Sequence, residues 1–253
     1  MTLVSIVLPC LNEVRHGYLP RILDNLQHQP GPKQLIIVIS PSRDATRQLI
    51  VSHPLGAAAE LIETTAVNRA QRLNAGIQAS QGEVVLLHHP ATLLPENALE
   101  QVAAAANSGA QWGGFRHSFD LDHWLLRFTS WYSTHQRPRW GQVLYLDHCI
   151  FARRSVLAAV GGVPDMDIFE DTALSQALSR WGRPRMLPGT VITSARRFRE
   201  RGVYRQAALN QLLKLMYYAR LNPRTMNWLY ERKSQINVTY DEAAYGESDD
   251  SSA

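Results

Sequence analysis

Apolar positions follow two rhythms along the first half of the chain. "LVSIVLP" (Leu3 to Pro9) is nearly continuous, apolar and β-branched, the pattern of a strand covered on both faces in a parallel sheet. "HGYLPRILDNLQHQ" then changes to helical spacing, with Leu19, Ile22, Leu23 and Leu26 on one face. "QLIIVIS" (Gln34 to Ser40) predicts a second buried strand, "DATRQLIVS" a short helix with Asp44 as N-cap, and "AELIETT" a third strand. "NRAQRLNAGIQAS" (Asn68 to Ser80) returns to helix, "EVVLLH" to strand and "PENALEQVAAAANSG" to helix. This alternation predicts an α/β fold: a Rossmann-like, three-layer α/β/α domain around a mostly parallel central sheet.

The second half is less regular. "QWGGFRHSF" predicts a strand and "LDHWLLRFTSWYSTHQ" an aromatic-rich helix. The stretch from Gln142 to Gly182 holds a strand, a short helix ending at Gly161 and Gly162, a loop and another helix. "RMLPGTVITSARR" gives a late strand, "YRQAALNQLLKLMYYARL" a long amphipathic helix, and "PRTMNWLYERK" a last helix opened by Pro223. No Gly/Ser linker and no internal repeat divides the chain. The expected organisation is one domain over residues 1–238, with a nucleotide-binding half (1–110) and an acceptor half carrying the C-terminal helices (111–238). An acidic tail, 239–253, reads as disordered.

Composition narrows the class. The 253 residues are 45% hydrophobic and 19% charged, an ordinary globular balance with enough apolar content for a sizeable core. Cys10 and Cys149 form no disulfide framework and read as small buried hydrophobes of a reducing compartment. No leader and no run of about 20 apolar residues is visible, so the expectation is a cytoplasmic protein. The net charge of +4 is uneven: "RRFRERGVYR" (Arg196 to Arg205) is strongly basic and could meet phosphates or anionic lipid. Peripheral contact with the inner face of a membrane through the basic C-terminal helices, with Leu212, Leu213, Leu215 and Met216 inserted, stays open beside plain packing on the sheet. No RNP-like, helix-turn-helix or zinc pattern points to nucleic acid. No oligomeric state follows from the pattern.

"VSIVLPCLNE", "NRAQRLNAGIQASQGEVVLLHHPATLLPENAL" and "DHCIFARRSVLAAVGGVPDMDIFEDTALSQALSRWGRPRMLPGTVITSARRFRERGV" together resemble glycosyltransferase family 2, in order and in spacing, over roughly Leu3 to Tyr230. "TSARR" and "LNPRTMNWLY" resemble a short, soluble bacterial subgroup, some of whose members are associated with arsenosugar biosynthesis. The resemblance implies the GT-A fold, a nucleotide-sugar donor, an unidentified hydroxyl acceptor and an inverting transfer. It puts Pro9, Asn12, Glu13, Ser40, Arg69, Asn74, His89 and Ala91 on the donor side, and Asp147 and His148 on the acceptor side.

Glu170 and Asp171 precede a helix with Ala173, Leu174, Ala177, Leu178 and Trp181 on one side. Taken by themselves they are a helix cap favoured by the helix dipole. The resemblance implies that Asp171 is the general base, with Glu170 beside it. Arg69, Arg196 and Arg197 are the candidate clamps on a diphosphate, since guanidinium donors fork onto two oxygens. Arg72, one turn from Arg69, could join them. Solvated arginines are the plain alternative.

Two donor-side acids of the family are missing. Ser40 and Pro41 stand in the second-strand turn, and Ala91 replaces the aspartate of the metal turn in "HHPAT". Mg²⁺ or Mn²⁺ needs hard oxygen ligands, which alanine does not offer. His88 and His89 should point to opposite faces of a strand end and form no common chelate. No metal ligand and no cofactor is therefore predicted, with Mg²⁺ or Mn²⁺ left open although the usual ligand is missing. Two readings remain: an enzyme in which arginines replace the metal, and a degenerate homologue kept as a binding or partner protein.

Overall fold

The computed structural model describes residues 2–14, 17–231 and 238; the acidic tail lies outside the described residues. The chain builds β1 (Val4–Cys10), α1 (Tyr18–Gln27), β2 (Lys33–Ile39), α2 (Thr46–Ser52), α3 (Pro54–Ala58) and β3 (Glu60–Glu63). It continues with α4 (Arg69–Ala79), β4 (Val84–Leu87), β5 (Thr92–Leu93), α5 (Ala98–Asn107) and β6 (Trp112–Phe119). The later elements are α6 (Trp124–Trp131), α7 (Arg137–Trp140), β7 (Ile150–Arg153), α8 (Arg154–Ala159), α9 (Glu170–Leu178), β8 (Arg185–Thr193), α10 (Arg196–Arg201), α11 (Val203–Tyr218) and α12 (Pro223–Glu231).

The strands form one sheet in the order β3-β2-β1-β4-β7-β6-β8-β5. β3, β2, β1 and β4 run parallel, as do β6 and β8; β7 is antiparallel to β4 and β6, and β5 to β8. The alternation of side chains along each strand explains the continuous apolar runs. Val4, Ile6, Leu8 and Cys10 enter one core with Leu19, Ile22 and Leu23 of α1 and Leu99 and Val102 of α5. Val7, Ile36, Val38, Val85 and Leu87 enter a second core on the other face, with Ala70 and Leu73 of α4, Val156 and Leu157 of α8, and Leu174 and Leu178 of α9. Helices thus cover both faces of a curled, mostly parallel sheet. α4 lies unusually close: a Cβ on Gly76 would stand 2.3 Å from Cγ1 of Val7, so only glycine fits there.

Three elements depart from expectation or add to it. The aromatic helix does not end at Gln136; a π-helical turn, Tyr132–Gln136, passes it into α7. The basic run after β8 is a helix, α10, stopped by Gly202 at φ 82°. On α11, Leu213 is buried and Met216 partly buried, both packed with Ile168 and Met226, so neither is available to a membrane. Cys10 and Cys149 are buried free thiols.

Candidate active site

β4, β6 and β8 all deliver their C-terminal ends to one edge of the sheet, where open α/β folds bind ligands. A cavity of about 220 Å³ opens there. His89 and Ala91 reach it from the turn after β4, His117 and Phe119 from the end of β6, and Thr193 and Ser194 from the end of β8. Asp147 precedes β7, and Arg196 and Arg197 open α10. Arg137, Tyr145, Asp171 and Lys214 complete the polar wall. Five basic side chains, Arg69, Arg137, Arg196, Arg197 and Lys214, therefore face two carboxylates, Asp147 and Asp171. This surplus suits a polyanion.

Asp171 sits in the first turn of α9, whose N-cap, Phe169, holds a left-handed conformation (φ 64°) while lining the cavity. Strain of this kind persists where the surroundings fix it, and it is common at functional sites. One Asp171 oxygen accepts from the Leu146 N–H at 2.9 Å, and the other from the Thr172 N–H at 2.7 Å. Burial, then the neighbouring Glu170, push its carboxyl up to about 6, against the pull of Arg69.

Behind each of the three candidate clamp arginines lies an acidic side chain. Arg69 donates to Glu170, which is buried and outside the cavity wall. Burial acts to lower the Arg69 pKa, but Glu170 and Asp171 outweigh it and raise it. Arg196 Nη1 lies 3.7 Å from Glu13, itself fully buried and pushed up to about 7 by burial, against the pull of Arg196. Arg197 pairs with Glu231 at 3.3 Å, and its guanidinium stacks 4.1 Å over the Tyr230 ring.

Other expected donor-side residues serve as supports. Pro9 is buried inside β1. Asn12 takes a left-handed φ of 53° and accepts from the Arg43 N–H. The Glu13 N–H donates to Thr46 and the Val14 N–H to Asp44, pinning the end of β1 to the turn before α2. Ser40 donates to the Ala66 carbonyl and accepts from Arg72. Arg72 is itself buried, lowered to about 10 by that burial and by Arg69, and absent from the cavity wall. Asn74 does not face the cavity either: its side chain bonds both the N–H and the carbonyl of Val163, at 2.8 Å each. It clips the glycine loop, where a Cβ on Gly162 would meet Asn74 Oδ1 at 2.5 Å.

His148 lies behind the cavity wall. It is fully buried and absent from the wall of this cavity. Its Nδ1–H donates to the Phe115 carbonyl, leaving Nε2 to accept from the Ser133 hydroxyl. Ser133 in turn accepts from Arg137. Burial keeps this imidazole neutral, its pKa lowered to about 4. On this side of the cavity the histidine is His117, 3.4 Å from Asp147, with His89 reaching the wall from the turn after β4. Arg137, Tyr145, Lys214 and His117 were not anticipated, because nothing local marks them. Arg137 and Lys214 flank the Tyr145 ring at 4.1 and 5.8 Å from three separate segments.

The glycosyl transferase family 2 profile matches residues 5–161, more than half of the chain. The chain belongs to glycosyl transferase family 2. Solved structures agree on the fold. S. aureus TarS superposes with TM-score 0.62 at 14% identity, over 77% of this chain and 37% of TarS. TarS 1-349 in complex with UDP-GlcNAc gives 0.61 at 14%, over 77% and 58%. The Pyrobaculum calidifontis mannosyltransferase PcManGT, in complex with GDP-Man and Mn²⁺, gives 0.62 at 20%, over 85% and 63%. The chain thus spans less than two thirds of each of these structures. No curated protein matches it.

The Mn²⁺ of that mannosyltransferase complex raises the question of a metal in this family 2 chain. The residues present do not fit one. Ala91 brings no oxygen side chain to the turn, and its N–H donates to His89 Nδ1, which Thr92 also contacts. Burial, then Arg69, hold the His89 pKa well below its usual value. Among the described residues, no group of three or more His, Cys, Asp or Glu is arranged to hold a metal ion.

Proposed function

We propose that the protein transfers a sugar from a nucleoside-diphosphate donor to an acceptor hydroxyl in a single inverting displacement. The observation that carries this is Asp171, a carboxylate of raised pKa in a cavity whose wall carries five basic side chains and one other carboxylate, Asp147. Asp171 takes the proton as the acceptor oxygen attacks the anomeric carbon. The bond from that carbon to the diphosphate breaks, and the nucleoside diphosphate leaves with the electron pair. Arg69, Arg196 and Arg197, fixed by Glu170, Glu13 and Glu231, stabilise the charge on the leaving group. Asp147 and His117 border the acceptor.

The nucleotide sugars in the TarS and PcManGT complexes support the donor class. "TSARR" and "LNPRTMNWLY" support a place in the short, arsenosugar-associated subgroup. We further infer one domain over residues 1–238, with strands from both of its halves in a single sheet.

The second reading, a binding protein without turnover, is favoured by Ala91 and by the carboxylate already paired with each donor-side arginine. A panel of nucleotide sugars assayed for binding and for transfer separates the two. Donor binding with transfer lost in Asp171→Asn supports the enzyme. Donor binding with no release of nucleoside diphosphate under any condition supports the binding protein.

A further inference from the structure

Fifteen large hydrophobic residues are exposed among those described, and eleven of them fall in two segments, Trp124–Trp140 and Tyr204–Trp228. A folded surface seldom gathers that much apolar area without a partner. On α6 and the π turn, Trp124, Phe128, Trp131 and His135 recur at helical spacing, so they share one face. Their rings touch in series: Phe128 lies 6.0 Å from Trp131, and Trp131 stacks 6.0 Å from His135. Trp140, at the end of α7, is 78% exposed.

α11 presents a second stripe. Tyr204, Leu212, Leu215 and Tyr218 lie within one helical face and are all exposed, while Gln206 and Leu213 turn inward. The two stripes join at their start, where the Trp124 indole donates to the Tyr204 hydroxyl at 3.1 Å. Arg139, Arg205, Arg220 and Arg224 are exposed on the same segments. The exposed acids there are Asp122, already paired with Arg127, and Glu200.

We propose that this aromatic and basic face docks the protein on an anionic phospholipid surface. Trp and Tyr suit the boundary between headgroups and acyl chains, and arginine keeps its charge at the headgroups while its stem lies on the apolar side. A second copy of the chain is a poorer occupant: an isologous contact would set the same guanidinium groups against one another. Among the described residues no helix is long and apolar enough to cross the bilayer, so the contact is peripheral. The face is the outer side of the same helical segment that turns Thr129 and Ser133 into the cavity.

The test uses the full chain with vesicles of phosphatidylcholine containing increasing phosphatidylglycerol, read by co-sedimentation. Binding should appear with the anionic lipid, weaken at least tenfold as salt rises, and blue-shift tryptophan emission. Phe128→Ser with Trp131→Ser, or Arg205→Glu with Arg220→Glu, should each lower partitioning at least tenfold while the melting temperature holds. All four side chains are exposed and stand outside the wall of the candidate active site. No binding at any phosphatidylglycerol fraction overturns the proposal. So does equal binding by the variants, and so does a concentration-dependent dimer that hides these tryptophans from a soluble quencher, which would assign the face to a second copy.

Discussion

At the scale of single residues, Asp171 carries the sharpest expectation. Its pKa of about 6 means that it is mostly ionised above neutrality and protonated in mild acid. A general base must be ionised, so transfer should rise through about pH 6 and level above it. Asp171→Asn keeps the shape and one of the two backbone bonds, from the Leu146 N–H or the Thr172 N–H, but it takes no proton. Turnover should fall on the order of 10²–10⁴-fold with donor affinity nearly unchanged. A variant with unaltered turnover, or an acid limb that persists in it, rules Asp171 out. The arginines answer to a different measurement. In Arg196→Ala with Arg197→Ala, donor binding should weaken on the order of 10²-fold, since charge-assisted bonds to phosphate are lost. The buried Glu13 left behind, already raised to about 7, takes up a proton rather than stay charged, which keeps the variant foldable. Wild-type binding should survive EDTA and weaken as salt rises. Donor binding that disappears on chelation would show that some other group supplies the metal ligand.

At the scale of elements, the buried parallel strands were legible because their apolar runs are a direct print of two covered faces. The order in which β7, β6 and β8 join them was not, since antiparallel insertion leaves no local mark on "CIFAR" or "WGGF". α10 was hidden because a run of arginines reads as charge, while its helix is fixed at a distance: Asp120 accepts from the Ala195 N–H and from Arg199. The glycosyltransferase pattern brought Asp171, Arg69 and the α10 arginines into consideration, and all of them line the cavity. It could not reveal that Asn74 is used up in clipping Val163, or that Arg137 is steadied through Ser133 by His148. Motif letters record residue type and not the partner. Gly76 shows where a motif position is a packing constraint. Gly76→Ala places a methyl 2.3 Å from Val7 Cγ1, so the Val7 side chain must turn or α4 must lift from β1. The expected cost is about 1–3 kcal/mol, read as a drop of several degrees in the melting temperature. An unchanged melting temperature would mean that α4 shifts freely and that the close contact carries no weight.

At the scale of the whole molecule, buried titratable groups tie stability to pH in opposing directions. Glu13 and Asp171 have folded pKa values above their usual ones, so what they contribute is largest in acid and is lost as pH rises toward about 7 and about 6. His88 and His148 behave oppositely. Burial lowers both to about 4 from an ordinary value of 6.5. The unfolded chain takes up these protons below pH 6.5 and the folded one does not, so stability drains away as pH falls from 6.5 toward 4. Because the windows overlap, a melting curve of the wild type alone would mix all four effects. A difference measurement isolates one. His88 is fully buried just past the end of β4 and is absent from the wall of the candidate active site. His88→Phe removes its proton from the balance, and any packing cost of the larger ring is the same at every pH. Relative to wild type, the variant should therefore gain on the order of 3 kcal/mol between pH 7 and pH 4, since a group lowered from 6.5 to about 4 costs about 1.36 kcal/mol for each pH step in which only the unfolded chain binds the proton. Denaturant midpoints of the two proteins, measured across that range, test it. A constant offset between them would show that His88 is protonated in the folded protein as readily as in the unfolded chain, and that the end of β4 is open to water.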